Sequence, residues 1–483
     1  MGCQIIIFMG ELKEKTLSGV KWNAIGRFST QGVSFVVGVL LARILSPSDY
    51  GVVGMIGIFM AIAQTFIDSG FGSALIRKQD CTDADYSTAF YFNIVVGVVC
   101  YLILFFSSPL IADFFNTPIL KDVVRVLSIN LLLGALTIVQ RARLTAAVDF
   151  KSQAKVSLVA TIVSGVVGLF MAYRGYGVWS LVYQHVTSTL VTTILFWVIT
   201  KWCPQRLFSI ESFKYLFGFG SKILSASLLH TIYSNLTTIL IGKFYTPNDL
   251  GYYSRGESLA TLPSSNITGI LKSVTYPILS KIQDDDARLI QVYRKYIRMT
   301  SMLIFFGMFL LAALAKPLIL TLLTDKWANS VIYLQVFCFA YMFDHLCQLN
   351  LNILYVKGRS DLVLRLEVIK KTISISMIIA AIPFGVLAIC ISRALYTQIA
   401  VIINTYYTGK LFGLGYVAQV KDFIKYFLYS FLSVLPAFLL SHTSFSSVLV
   451  LILGAMIACA MYWFLLRKDK NLIEVFGLLK NRR

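Results

Sequence analysis

Apolar runs of about 20 residues, separated by short polar connections, recur from residue 20 to residue 466. At about 1.5 Å per residue, such a run forms a helix that crosses a hydrocarbon core of about 30 Å. The runs predict fourteen helices, at 20–45, 50–75, 87–112, 122–140, 156–173, 177–199, 215–243, 250–276, 296–322, 329–355, 366–382, 386–408, 424–441 and 446–466. No soluble domain is inserted between them. The predicted class is an all-α polytopic membrane protein with fourteen transmembrane helices.

Composition and charge sharpen that picture. Of 483 residues, 57% are hydrophobic and 14% charged, whereas soluble domains carry about 25% charged residues. A net charge of +20 would suggest nucleic acid in a soluble chain, but the positions of the charges give a simpler account. The segments on the N-terminal side of the membrane are the N-terminus, 76–86, 140–155, 200–214, 272–298, 357–371, 409–425 and the tail after 466. They hold 32 of the 43 Lys and Arg, and the opposite segments hold six. A wrong helix count would scramble this alternation. Under the positive-inside rule both termini are cytoplasmic, and no nucleic-acid partner is needed. The run from Met1 to Phe8 is too short for a signal-peptide apolar region, which makes Met9 the expected natural start. The eight cysteines show no CxxC spacing, so no disulfide framework or metal site is expected.

The chain also repeats itself. Ser46-Pro47-Ser48-Asp49-Tyr50-Gly51 joins the first two predicted helices, and Thr246-Pro247-Asn248-Asp249-Leu250-Gly251 joins the seventh and eighth. Pro109-Leu110-Ile111 pairs with Pro317-Leu318-Ile319, and Gly177-Val178 with Gly385-Val386, in the same order. Six helices per repeat is an even number, so both halves enter from one side as parallel repeats. The predicted domains are residues 1–205 and 206–412, two six-helix bundles, and 413–483, two further helices with a basic tail.

Trp22-Asn23-Ala24, Leu45-Ser46-Pro47-Ser48-Asp49-Tyr50-Gly51 and Asp68-Ser69-Gly70-Phe71 resemble the polysaccharide-exporter family of bacterial flippases. These are the Wzx/WzxC-type members of the multidrug/oligosaccharidyl-lipid/polysaccharide superfamily. The resemblance spans nearly the whole chain and is densest over residues 12–120. It implies a V-shaped, MATE-like transporter in the bacterial inner (cytoplasmic) membrane. Its cargo would be undecaprenyl-diphosphate-linked oligosaccharide, flipped for O-antigen, capsule or exopolysaccharide synthesis alongside a polysaccharide polymerase and chain-length machinery.

Charge inside a membrane costs at least about 2.5–3.5 kcal/mol per group near the centre, so each group needs a reason. Asn23, Arg27 and Gln31 recur every four residues and share one helical face. Asp68 on the next helix reaches a depth similar to that of Arg27. These residues form either the polar wall of a cavity or a structural Arg27–Asp68 ion pair, unless Arg27 snorkels to the interface. The seventh helix carries Lys222, His230 and Asn235, and the eighth carries Arg255 and Glu257, with Pro263 as a candidate hinge. Helices this polar are expected to line a water-filled space rather than face lipid.

A diphosphate needs cations, for which Arg27, Lys222, Arg255 and Arg393 are the candidates, with Asn23, Gln31 and Asn235 as polar contacts. Asp68, Glu257 and Asp344 are candidates for coupling to H+ or Na+, each also readable as a satisfied structural acid. His345 and His230 fit packed histidines better than ion carriers. Tyr233, Tyr252 and Tyr253 are placed to stack on sugars, though nothing in the sequence singles them out. No GxxxxGK[ST] loop occurs, and Gly70-Phe71-Gly72 and Gly218-Phe219-Gly220 lack the third glycine of a dinucleotide site, so no cofactor is expected. Rival functions are a multidrug or cation antiporter, which favours an acidic aromatic cavity, and a polysaccharide polymerase, which favours a long outer loop.

Overall fold

The computed structural model describes residues 2–68, 70–78, 80–469 and 471–473, and among them the side chains of all but 2–20 and 270–274. Ser69 of the family motif and the tail beyond 473 fall outside that description, and of Met9, the expected start, only the backbone is described. The described residues form helices joined by short turns and divide into two compact units, 1–251 and 252–483.

The first unit contains α1 (Gly2–Ile44), α2 (Pro47–Asp68), α3 (Phe71–Arg77), α4 (Asp83–Phe114), α5 (Leu120–Leu127), α6 (Ile129–Ala135), α7 (Ile138–Ala146), α8 (Phe150–Tyr173), α9 (Val178–Thr200), α10 (Ile210–Phe244) and the first turn of α11 (Pro247–Ser280). Two of these helices start on one device. Ser46 and Thr246 precede a proline at the first helical position, where its missing N–H is no loss. The backbone N–H and hydroxyl of Ser46 donate to Asp49 Oδ2 at 2.9 and 2.7 Å, and Asp49 N–H donates back to Ser46 Oγ at 3.3 Å. Thr246 and Asp249 repeat the arrangement at 3.1, 2.7 and 3.2 Å. Each box satisfies donors that a helix start leaves open.

The two capped starts pack on each other. A Cβ on Gly51 would stand 1.8 Å from the Pro247 carbonyl oxygen, and one on Gly251 would stand 1.9 Å from that of Pro47. The repeat seen at an offset of 200 thus becomes a reciprocal backbone contact. α10 packs along α2, α3 and α4, where Gly70, at φ +69°, lies so close to Gly220 that a Cβ would come within 2.7 Å of its backbone. The two Gly-Phe-Gly triplets therefore meet in helix packing. Phe71, Phe90, Trp202 and Leu216 are buried beside them as the unit's aromatic core.

The second unit contains the rest of α11, then α12 (Asp286–Ala313), α13 (Ala315–Leu323), α14 (Ser330–Tyr341), α15 (Asp344–Val356), α16 (Ser360–Ala381), α17 (Val386–Phe412), α18 (Tyr416–Leu440) and α19 (Ser447–Leu466). Phe305 sits at its centre against Phe343, His345, Phe423 and Phe427, with ring centroids 5.4 to 5.7 Å away. α18 is tied to α12 by Asp422, which accepts from Arg294 at 2.8 and 2.9 Å and from Arg298 at 2.6 and 2.9 Å. Past the end of α19, Asp469 pairs with Lys425 of α18 at 2.7 Å. Burial pushes this carboxyl up, but the Lys425 ammonium, the Asn471 N–H and the Tyr426 hydroxyl outweigh it and hold the group below the usual range.

Among the described residues, eleven helices are long and apolar enough to cross a membrane, or twelve if Leu120–Ala135 and Ile138–Ala146, bent by 42°, form one span, against the fourteen expected. α11 and α16 fall short because of their polar residues, among them Arg255 and Glu257 on the first and Arg365, Glu367, Lys370 and Lys371 on the second. Long stretches of Val, Ile, Leu and Phe lie exposed on the outer faces, for example Phe106, Leu110, Val166 and Val198, as lipid contact requires. The chain is a multi-pass membrane protein.

Two outcomes follow from this packing. Gly51→Ala lowers thermal stability, since overpacking costs about 1–3 kcal/mol, while Gly57→Ala on the same helix, where nothing lies within 4 Å, leaves it unchanged; detergent-solubilised melting curves distinguish the two. The folded pKa of Asp469 lies below the unfolded value of about 3.9, so its contribution is full above that value and is lost as pH falls through the folded one. The melting temperature of Asp469→Asn should therefore fall below that of the wild type at neutral pH and converge with it in acid.

Candidate functional site

Within the first unit, α2, α3, α6, α7 and α10 enclose a cavity of about 380 Å³. Its polar lining comes from Gln64, Asp68, Thr137, Arg141, Thr145 and Ser227. Asp68 ends α2, and Gln64 lies one turn earlier, so the Gln64 amide donates to Asp68 Oδ1 at 3.1 Å. Arg141, on the short helix α7, is the cation whose charge acts on Asp68. The alternative of a structural Arg27–Asp68 ion pair is not met among the described residues, where Asp68 accepts from Gln64. Thr65 and Thr231 bring α2 and α10 together with a hydroxyl contact of 3.1 Å. Carboxylate, guanidinium, amide and hydroxyls thus share one concave surface, which suits a polar ligand carrying negative charge and hydroxyl groups.

In the second unit a different group forms. Arg393 of α17 donates to Glu257 of α11 at 2.5 Å, to the Tyr253 hydroxyl at 3.1 Å and to the Tyr341 hydroxyl at 2.7 Å. Tyr341 in turn donates to Glu257 at 2.7 Å. A predicted headgroup cation and a predicted coupling acid therefore neutralise one another. Tyr253 is 1% exposed and packs edge-on against Phe337, so it is not available to stack on a sugar. Nearby, the tenth expected helix is broken at Met342-Phe343 into α14 and α15. Asp344 stands at the first position of α15, where the helix dipole favours a carboxylate, and the charges of Arg393 and Lys370 act on it. His345 is fully buried, with Nε2 2.9 Å from Ser301 Oγ, and is a packing residue.

The other sequence candidates are dispersed. Asn23 and Arg27 are exposed on α1 and Gln31 is half-buried; none of the three lines the cavity. Lys222 is exposed one residue before the cavity-lining Ile223 and Leu224, and makes no ion pair among the described residues. The Asn235 amide donates to Thr231 O of its own helix at 2.9 Å. Arg255 lies 5.7 Å from the ring of Trp327. Pro263 and Pro277 both sit inside α11, which is unbroken through each. Sequence reasoning missed Gln64, Arg141, Tyr341 and Lys370. Gln64 was detectable from its four-residue spacing to Asp68, whereas Arg141 was counted among loop charges.

Residues 40–332, more than half of the chain, match a family model described as polysaccharide biosynthesis protein. The chain belongs to that family. It is similar to the teichuronic acid biosynthesis protein TuaB of Bacillus subtilis strain 168, with 26% identity over 73% of this chain and 74% of that protein. It is also similar to the lipopolysaccharide biosynthesis protein WzxC of Escherichia coli K12, with 24% identity over 82% of this chain and 80% of that one. Among solved structures, the inward closed conformation of the lipid II flippase MurJ superposes with a TM-score of 0.74. The match covers 92% of this chain and 98% of MurJ at 14% identity, a likeness of fold. This polysaccharide biosynthesis protein is thus built on the helical scaffold of a membrane transporter.

The Arg393–Glu257 contact gives a sharp expectation. Removing one partner strands the other in a low-dielectric site. Arg393→Gln therefore lowers the melting temperature by more than the double variant Arg393→Gln with Glu257→Gln. For this half-buried pair the difference corresponds to a charge-assisted hydrogen bond, about 2 kcal/mol.

Proposed function

We propose that this polysaccharide biosynthesis protein is a flippase, moving polyprenyl-diphosphate-linked oligosaccharide units from the cytoplasmic to the outer leaflet of the bacterial inner membrane by alternating access. The observation that carries the reading is the cavity of the first unit. It places an acid, a guanidinium, an amide and several hydroxyls inside a bundle whose outer faces are apolar. Hydroxyl-rich sugars need dispersed hydrogen bonds, and a diphosphate needs a cation. Arg141 meets the second need at the cavity itself, and Lys222 stands beside it. Arg27 of the same unit joins them as a further headgroup cation, with Asn23, Gln31 and Asn235 as polar contacts, and Arg255 of the second unit is a separate candidate cation. A cation antiporter favours an acidic cavity, whereas here Arg141 lines the same cavity as Asp68. The names of the relatives, for teichuronic acid and lipopolysaccharide biosynthesis, and of the fold neighbour, a lipid II flippase, point the same way.

In this reading the fourteen helices form two six-helix repeats plus α18 and α19, divided near 205 and 412, with both termini cytoplasmic. Asp68 and Asp344 are the acids for H+ or Na+ coupling, while Glu257 is held by Arg393 and becomes available only if that pair opens. Pro263 is where α11 bends during transport. A polymerase and chain-length machinery would receive the flipped unit.

The test is the leaflet distribution of lipid-linked units in cells lacking the protein. Units accumulate on the cytoplasmic leaflet and are cleared by the wild-type gene. Arg141→Ala clears them roughly tenfold more slowly, as expected for one charge-assisted contact. Accumulation of units already in the outer leaflet would contradict flipping, and full clearance by Arg141→Ala would move the headgroup site elsewhere.

A further inference from the structure

α16 and α17 run antiparallel in the second unit, joined at one end by the short turn around Ile382–Phe384. At the other end, where α16 begins and α17 finishes, they splay around a groove of about 620 Å³. Both ends lie on one membrane face, since the two helices are neighbours joined at the opposite end. The groove is graded. Its mouth carries Arg359, Arg365 and Lys410, and its inner end is lined by Leu366, Ile369, Ile402 and Ile403. Arg365 lies four residues before Ile369, about 6 Å along its helix, and Lys410 eight residues beyond Ile402, about 12 Å along the other, so both cations stand nearer the helix ends than the apolar residues do.

The charges at the mouth are not all engaged. Arg359 is held by Asp361 through two hydrogen bonds of 3.0 Å. Arg365 and Lys410 are exposed and make no hydrogen bond or ion pair among the described residues. Tyr406, 63% exposed, stands on α17 one turn from Lys410; an interfacial tyrosine of this kind sits at headgroup level. Ile369 and Ile402 are 41% and 50% exposed, so none of the described residues covers the inner end.

We propose that this groove is a specific site for an anionic glycerophospholipid, with the headgroup phosphate between Arg365 and Lys410 and an acyl chain laid along Ile369, Ile402 and Ile403. The match is one of charge and polarity together. Two uncommitted cations meet one phosphate at the membrane surface, and an apolar trough leads from them toward the bilayer core. Basic pockets between membrane helices bind anionic headgroups in this way. A neutral zwitterionic lipid would fill the trough as well but would gain less from the cations. The site stands independently of what the protein transports, because it uses none of the cavity residues of the first unit.

The test is native mass spectrometry of the purified full chain, titrated with phosphatidylglycerol and with phosphatidylcholine of the same acyl chains. Wild type retains phosphatidylglycerol roughly thirtyfold more strongly, given two cations at about 1 kcal/mol per basic residue at a membrane surface. The double variant Arg365→Glu with Lys410→Glu loses that preference, and Ile402→Trp, which fills the trough, weakens retention of both lipids. Arg174→Glu, a surface cation of the first unit, leaves the preference intact, and melting temperatures verify that each variant is folded. The proposal is overturned if the double variant keeps the preference, if wild type does not discriminate, or if the Arg174 control abolishes it. It is also overturned if the lipid displaced by Ile402→Trp proves to be a polyprenyl diphosphate.

Discussion

Where α2 and α11 begin, each helix lays its first turn on the other's opening carbonyl, and no side chain fits between them. Gly51 and Gly251 make that approach possible, and the Ser46–Asp49 and Thr246–Asp249 boxes make it stable, because helix starts in a low-dielectric setting cannot leave their N–H groups unpaired. Lipid tails are as apolar as leucine, so helices in a membrane associate through close packing and satisfied polar groups rather than through the hydrophobic effect. The crossing supplies both at once. α2 leaves it to end at Asp68 in the cavity, and α11 leaves it toward Glu257.

The same economy governs the charges. Ions inside a membrane are expensive, and this chain answers Glu257 internally with Arg393 and the Tyr341 hydroxyl, as it answers Asp422, outside the predicted spans, with Arg294 and Arg298. Once those pairs are set aside, the polar inventory available to a ligand is smaller than the sequence suggests, and different in kind. Asp68, Gln64 and Arg141 share one cavity, while Lys222 lies just outside it. Asp344 stands at a helix break under the influence of two cations. A binding surface of this mixed character suits a ligand that is part anion and part polyol.

Much of the fold was legible in the sequence because its signals are one-dimensional. Apolar run length gives helices, and the Ser/Thr-Pro-x-Asp-x-Gly repeat marks the two helix starts that form the capped crossing. Two helices resisted the same logic. α11 and α16 follow apolar runs in the sequence, yet are too polar to count as spans by length and composition. Side-chain partners were harder still. Arg27 and Asp68 share a depth, and depth alone suggested an ion pair; Asp68 instead uses Gln64 on its own helix and Arg141 from a helix that resembled a loop. Arg393 and Glu257 lie 136 residues apart, and nothing in the chain's periodicity pairs them. Tyr253 has the same sequence signature as a sugar-stacking residue, and only its burial against Phe337 tells the two apart.

The central claim is transbilayer movement of a lipid-linked saccharide by this chain alone. The most direct measurement reconstitutes the purified protein in vesicles with a polyprenyl-diphosphate oligosaccharide and reads its leaflet with a membrane-impermeant glycosidase. Vesicles containing the protein are expected to expose the inner-leaflet pool to the enzyme, and Arg141→Ala to slow that exposure. A pool that stays protected at the rate of protein-free vesicles, with the protein folded and inserted, would contradict that claim.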